Sequence, residues 1–239
     1  MKRSTATTII AALAAAPLAV PLPANAAAPA PAAPPAAEAT GGTGGKPPPK
    51  ERILKNVTWE RQKHLWYCGP AAARIALTTW VRKPKSQDKL AKDMVSGPPW
   101  NRQTPNVLFA TIAMNKALAG SGKGRPYRSR FLHGGRPFDY RRAKFLADIK
   151  RTVGTRGRAM VINIRSTKSR QMIRAYPNRD VYHYVVVYGY SSNNRIYIAD
   201  PASGLKDYKG VPKKYSVTIS HLTRLLHAGD KKHPYQYLD

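Results

Sequence analysis

From Val181 to Tyr190 the chain reads VYHYVVVYGY, and valine and tyrosine make up eight of those ten residues. β-branched and aromatic side chains suit a pleated surface and lose rotamer freedom in a helix, so this run is a strand. Ser191-Ser192-Asn193-Asn194 supplies turn chemistry, and Arg195 to Asp200 (RIYIAD) returns as an antiparallel partner. Such a hairpin must bury at least one face. A further strand is expected in GRAMVINIRS, Gly157 to Ser166, and another in RPYRSRFLH, Arg125 to His133.

The first half of the domain carries a different period. After a short extended stretch from Arg52 (RILKNVTWERQKHLW), Gly69-Pro70 opens a helix, since proline in the first turn gives up an N–H that is unpaired there anyway. That helix runs through AAARIALTTWV and stops at Arg82-Lys83-Pro84. A second is expected over Ser86 to Val95 with Ser86 as its cap, and a third from Thr104-Pro105 through NVLFATIAMNKALA to Gly120. Later, DYRRAKFLADIKRTV is amphipathic, with Phe145, Leu146, Ile149 and Val153 on one side, and SHLTRLL closes the series. Helices first and an antiparallel sheet afterwards predict an α+β fold.

The termini of the domain follow from composition. Residues 1–26 have a basic start at Lys2 and Arg3, an apolar stretch and a small-x-small ending at Ala24-Asn25-Ala26, which reads as a cleaved secretory signal peptide. Residues 27–50 are rich in Ala, Pro and Gly, include the stretch Gly41 to Gly45 (GGTGG), and are expected to form a disordered linker. Residues 51–239 then form one domain, secreted and without a membrane span, since no later stretch approaches the about 18 to 20 apolar residues that a span needs.

Charge is the most unusual bulk property. Forty-one Lys and Arg against 12 Asp and Glu give a formal net charge of +29. A field of that sign draws polyanions, so anionic cell-wall polymer or extracellular polyanion is an expected partner, and cell-wall association is consistent with it. The basic residues form none of the known nucleic-acid-reading signatures, so sequence-specific nucleic-acid recognition is not expected. A single cysteine excludes a cysteine-based zinc site.

That cysteine, Cys68, stands at the start of the first helix, where the helix dipole favours a thiolate. A free cysteine is most often a small buried hydrophobe, but in an exported chain an unpaired thiol is a candidate nucleophile. A nucleophile of this kind needs a histidine base and a third group to orient it. Of the six histidines, His64, His133, His221, His227 and His233 lie in loop or terminal contexts, whereas His183 is inside the long strand. A two-residue turn at Ser192-Asn193 would pair Ser191 with Asn194 and set Asp200 opposite Val185. Asp200 is then diagonal to His183 on one face, roughly 7–8 Å away and within side-chain reach. A slip of one residue would separate them. Taken singly, His183 reads as a structural histidine in an aromatic cluster with Tyr182, Tyr184 and Tyr188, and Asp200 as a turn residue before Pro201. Together with the placed Cys68 they favour catalysis.

QKHLWYCGPAAARIAL and YHYVVVYGYSSNNRIYIADPAS resemble the two signature blocks of the papain-like cysteine peptidases of family 39, the bacteriocin-processing peptidases and their stand-alone relatives. The resemblance implies a papain-like fold with Cys68 as nucleophile, His183 as general base and then acid, and Asp200 as the group that fixes the imidazole tautomer. It also implies that Gln62 joins the Cys68 backbone N–H in stabilising the oxyanion. No ATPase loop of the G-x-x-x-x-G-K-[ST] type accompanies these blocks, so coupled leader export is not expected.

The leading expectation is therefore a secreted cysteine peptidase that takes a peptide or protein substrate and calls for no metal or cofactor. Papain-like folds also host amidases and transglutaminase-type acyl transferases, and a basic, non-catalytic module on the same fold would hold anionic wall polymer or nucleic acid instead. Trp100, Tyr127, Tyr140 and the arginines from Arg136 to Arg142 are read as surface.

Overall fold

A computed structural model describes residues 47–95, 105–132, 135–226 and 236–239. The expected signal peptide, residues 27–46 of the expected linker (with its GGTGG stretch), Trp100, His133, His227 and His233 lie outside the described residues. Residues 47–50 are exposed and lack regular structure, and the Pro49 carbonyl accepts a hydrogen bond from the Tyr190 hydroxyl at 2.7 Å.

Among the described residues, five α-helices and seven strands make up the fold. The helices are α1 (Cys68–Leu77), α2 (Gln87–Asp93), α3 (Val107–Ala119), α4 (Phe138–Ile149) and α5 (Ile219–Leu225). The strands are β1 (Arg52–Ile53), β2 (Ser129–Arg130), β3 (Met160–Ser166), β4 (Val181–Tyr190), β5 (Arg195–Ala199), β6 (Lys214–Thr218) and β7 (Tyr237–Leu238). They form one antiparallel sheet in the order β2-β7-β3-β4-β5-β6, and β1 pairs with the end of β4 at Gly189 and Tyr190. The α+β class and the helices-then-sheet order are as expected.

Local chemistry accounts for most boundaries. Ser86 caps α2 by accepting from the Lys89 N–H, and Thr218 caps α5 by accepting from the His221 N–H. In α3 the capping residue is Asn106, which accepts from the Leu108 N–H, so this helix starts later than Thr104-Pro105 suggests. The amphipathic helix α4 ends at Ile149 and continues as one wide π-turn, Lys150–Thr155. β6 and β7 were not expected from the sequence, and the strand expected over Arg125 to His133 is ordered as β2 for two residues only.

The core lies between the helices and the sheet. Every residue of α1 except Arg74 is buried, and α1 packs across β4 and against α2 and α3. Arg74 leaves the core by pairing with Glu60. β4 is buried along nine of its ten residues, with Tyr182 alone exposed. The helix that starts with Cys68 therefore lies directly on the strand that holds His183.

The β4–β5 hairpin reaches the expected register by an unexpected route. Its loop has three residues, not two: Ser191 N–H donates to the Arg195 carbonyl at 2.9 Å, and Asn194 takes a left-handed φ of 61°. Asparagine tolerates that conformation better than most residues. The loop shifts the pairing by one, and a bulge in β4 between Val187 and Gly189 shifts it back. Val187 then faces Ile198 and Val186 faces Ala199, which is the register that puts Asp200 diagonal to His183.

Candidate active site

Cys68 is the first residue of α1 and 1 % exposed. Its side chain hydrogen-bonds the His183 imidazole. His183, 3 % exposed, turns Nε2 to Asp200 Oδ1 at 2.9 Å, which leaves Nδ1 as the nitrogen for the thiol. Asp200 lies just past the end of β5 and has no exposure at all. The structure thus brings together the helix start, the middle of the sheet and the end of the adjacent strand.

Asp200 is saturated with donors. Oδ1 accepts from His183 Nε2 and from the Ala202 N–H at 2.9 Å, and Oδ2 accepts from the hydroxyls of Tyr176 and, at 2.8 Å, of Tyr215. Its backbone is held as firmly: the N–H donates to the Lys213 carbonyl at 3.0 Å, and the carbonyl accepts from Trp59 Nε1 at 2.8 Å. Burial alone would raise this carboxyl, but the His183 charge and hydrogen bond, with the Tyr176 and Ala202 donors, hold it below the usual carboxylate range. Burial pulls His183 down, yet the Asp200 charge and hydrogen bond, helped by Cys68, outweigh it and raise the imidazole to about 10. The arrangement favours an imidazolium beside a thiolate, at the positive end of a helix.

The aromatic neighbours of His183 differ from those expected. Tyr208 lies tilted over the ring at 5.9 Å and Tyr176 meets it edge-on at 6.2 Å, whereas Tyr182 points to the exposed side of β4. Tyr208 belongs to a short 3₁₀ turn, Lys206–Tyr208, between β5 and β6. Of the other described histidines, His64 stacks on Trp66 and His221 bonds the carbonyls of Gln171 and Met172.

Gln62 is 2 % exposed and ties the two halves of the site together. Its backbone N–H donates to the Pro201 carbonyl at 2.8 Å, next to Asp200. Its amide nitrogen donates to the carbonyls of His64 and Leu65 at 2.8 and 3.0 Å, in the turn that leads into Cys68. Both amide hydrogens are therefore in use, and Oε1 is buried without a hydrogen-bond partner. Donation to an oxyanion would require Gln62 to release one of those carbonyls.

Tyr176, Tyr215 and Trp59 are the parts of the site that sequence reasoning missed. Tyr176 comes from the loop between β3 and β4, where no period marks it. Tyr215 had a signal, the alternation Tyr215-Ser216-Val217 that continues the sheet as β6. Among the described residues, no cluster of three or more His, Cys, Asp or Glu side chains is arranged to hold a metal ion, and no helix is long and apolar enough to cross a membrane.

A thiol on a helix start, paired to a buried histidine and carboxylate across an antiparallel sheet, defines the class of papain-like cysteine peptidase folds. The chain belongs to the peptidase C39 like family, whose family model matches residues 54–219. A search of curated proteins finds no match.

Proposed function

We propose that the chain is a secreted cysteine peptidase that cleaves peptide bonds through Cys68, His183 and Asp200. The observation that carries this reading is one imidazole shared by two partners, with Nε2 on Asp200 at 2.9 Å and the Cys68 thiol bonded to the same ring. In the reaction the Cys68 sulfur attacks the scissile carbonyl carbon, and the S–C bond forms as the carbonyl becomes an oxyanion. His183 passes its proton to the leaving amine as the C–N bond breaks. Water, deprotonated by His183, then cleaves the thioester, releasing the acid and restoring the thiolate and imidazolium. Asp200 stays ionised throughout and orients the ring. Gln62 is the side-chain donor to the oxyanion if one of its two carbonyl contacts opens as substrate enters; such a donor is worth about 100- to 1000-fold in rate.

The test is the alkylation rate of Cys68 against pH, in the wild-type chain and in His183→Ala. Fast alkylation well below the free-thiol pKa of about 8.5, slowed by the histidine change, supports the reading. A slow thiol that titrates normally and ignores His183 refutes it. Export through a cleaved signal peptide is tested separately, by the mass of the secreted protein, which should begin at Ala27.

A second reading, a basic binding module for anionic polymer, draws on the net charge of +29. It is compatible with the first, because binding of that kind should weaken steeply with salt and survive Cys68→Ala, which abolishes hydrolysis.

A further inference from the structure

At the far end of α1 from Cys68, a cavity of about 480 Å³ opens among Trp80, Arg125, Arg128, Arg156, Arg158 and Thr152. With α1 ten residues long, the nucleophile and this cavity are separated by roughly 15 Å of helix. The four arginines come from two segments, the approach to β2 and the loop that leads from the π-turn into β3. Among the described residues none of the four forms an ion pair, although the same surface pairs Arg130 and Arg151 with Asp239. Asp239 is the only acidic residue in the lining, and its carboxylate is taken by those two.

The site is built rather than incidental. Arg158 sits over Trp80, its Cζ 3.8 Å from the ring centre, and its Nη1 donates to the Thr79 carbonyl. Trp80 is itself fixed by donating Nε1 to the Tyr127 hydroxyl at 3.0 Å. The backbone N–H of Arg158 donates to the Thr152 carbonyl, and that of Arg156 to the Arg151 carbonyl, each at 3.0 Å. Thr152, 1 % exposed, is among the residues that line the cavity, and its hydroxyl is buried without a hydrogen-bond partner. A buried donor left unsatisfied is costly, and beside four guanidinium groups an anion is the ligand that would satisfy it.

We propose that this cavity binds a phosphate group, independently of the peptidase chemistry. Phosphate, with three or four acceptor oxygens, engages several guanidinium forks at once, whereas a carboxylate offers only two oxygens. The group arrives either free or on a phosphodiester polymer, and a polymer bound here would anchor the chain away from the Cys68 end of α1.

The experiment is calorimetric titration of the full-length mature chain with inorganic phosphate, and separately with a short glycerol-phosphate oligomer, chloride holding the ionic strength constant. Three variants accompany it: Arg128→Gln with Arg156→Gln, Thr152→Val, and a control of equal charge loss, Lys168→Gln with Arg174→Gln, on exposed residues outside the cavity. The expected result is saturable phosphate binding, weakened about tenfold or more by the cavity double variant and by Thr152→Val, and unchanged in the control. Tighter binding of the oligomer, lost in the same variants, identifies a polymer as the source; equal or tighter binding of inorganic phosphate identifies the free anion. No binding by the wild-type chain at millimolar phosphate, or equal weakening in cavity and control variants, overturns the proposal. Thr152→Val keeps the test decisive should the arginine variant fail to fold.

Discussion

Tyr176 and Tyr215 converge on one atom: their hydroxyls stand 3.4 Å apart and both donate to Oδ2 of Asp200. The oxygen facing His183 is thereby left to the imidazole and the Ala202 N–H, and the carboxylate keeps its charge although it is fully buried. Tyr176→Phe removes one donor from a buried anion. A loss of about 1 to 3 kcal/mol in unfolding free energy is expected, measured by urea denaturation, with a smaller loss for the less buried Tyr215. Cys68 alkylation in Tyr176→Phe should also lose rate on its acid side, because Asp200 becomes easier to protonate. An unchanged profile in both variants would show that the tyrosines only fill space.

The pH dependence follows from His183. Its folded-state pKa of about 10 lies above the ordinary 6.5, so the folded chain binds more protons than the unfolded chain in between. Its contribution to stability is complete below about pH 6.5 and is lost as pH rises towards 10. Asp200 behaves oppositely: its pKa is lowered, so its contribution is present above the ordinary carboxylate range and lost on acidification. Hydrolysis should therefore keep its alkaline limb near pH 10, far above that of an ordinary histidine. In Asp200→Asn the main charge that raises His183 is gone while burial remains, so the limb should move to lower pH. A limb that stays in place in kcat/KM against pH would refute the pairing.

Tyr208 packs against the imidazole of the candidate site. With Cys68 1 % exposed, a substrate reaches the sulfur only when a neighbouring group moves, and the turn carrying Tyr208, tilted over His183, is the one expected to do so. Tyr208→Ala should speed alkylation of Cys68 by neutral iodoacetamide severalfold while leaving the alkaline limb in place. No acceleration would place the entrance elsewhere.

Gly69 is required by packing. A Cβ at that position would stand 2.5 Å from Cγ and 2.9 Å from Cδ of Pro105, a stiff ring whose carbonyl is held by the Tyr184 hydroxyl at 2.7 Å. Neither side can yield cheaply. Gly69→Ala should cost about 1 to 3 kcal/mol and, by displacing the start of α1, slow Cys68 alkylation as well. Retained stability together with retained thiol reactivity would refute this account.

Much of this site was legible in the sequence, for identifiable reasons. Pro70 fixed where α1 begins and so where Cys68 sits. Period two along β4 and β5 put His183 and Asp200 on one face. The pairing was expected through a two-residue turn, and the molecule arrives at it through a three-residue loop and a compensating bulge, because both routes satisfy the same buried alternation. What escaped was non-periodic or distant. Tyr176 sits in an irregular loop, β7 is two residues long, and Trp59 reaches Asp200 across more than a hundred residues. The engagement of Gln62 by two backbone carbonyls depends on the fold of the turn before α1, which composition does not encode.

The burial of Cys68 has a consequence for measuring motion. The chain has one thiol, and it is enclosed by the core rather than displayed on the surface. A thiol reagent too large to enter can modify this protein at one position only, and only during a local opening. When reclosing is faster than modification, the ratio of the observed rate to that of a free thiol gives the free energy of that opening directly. One native side chain thus reports how often the helix and sheet part at their junction, without an added label.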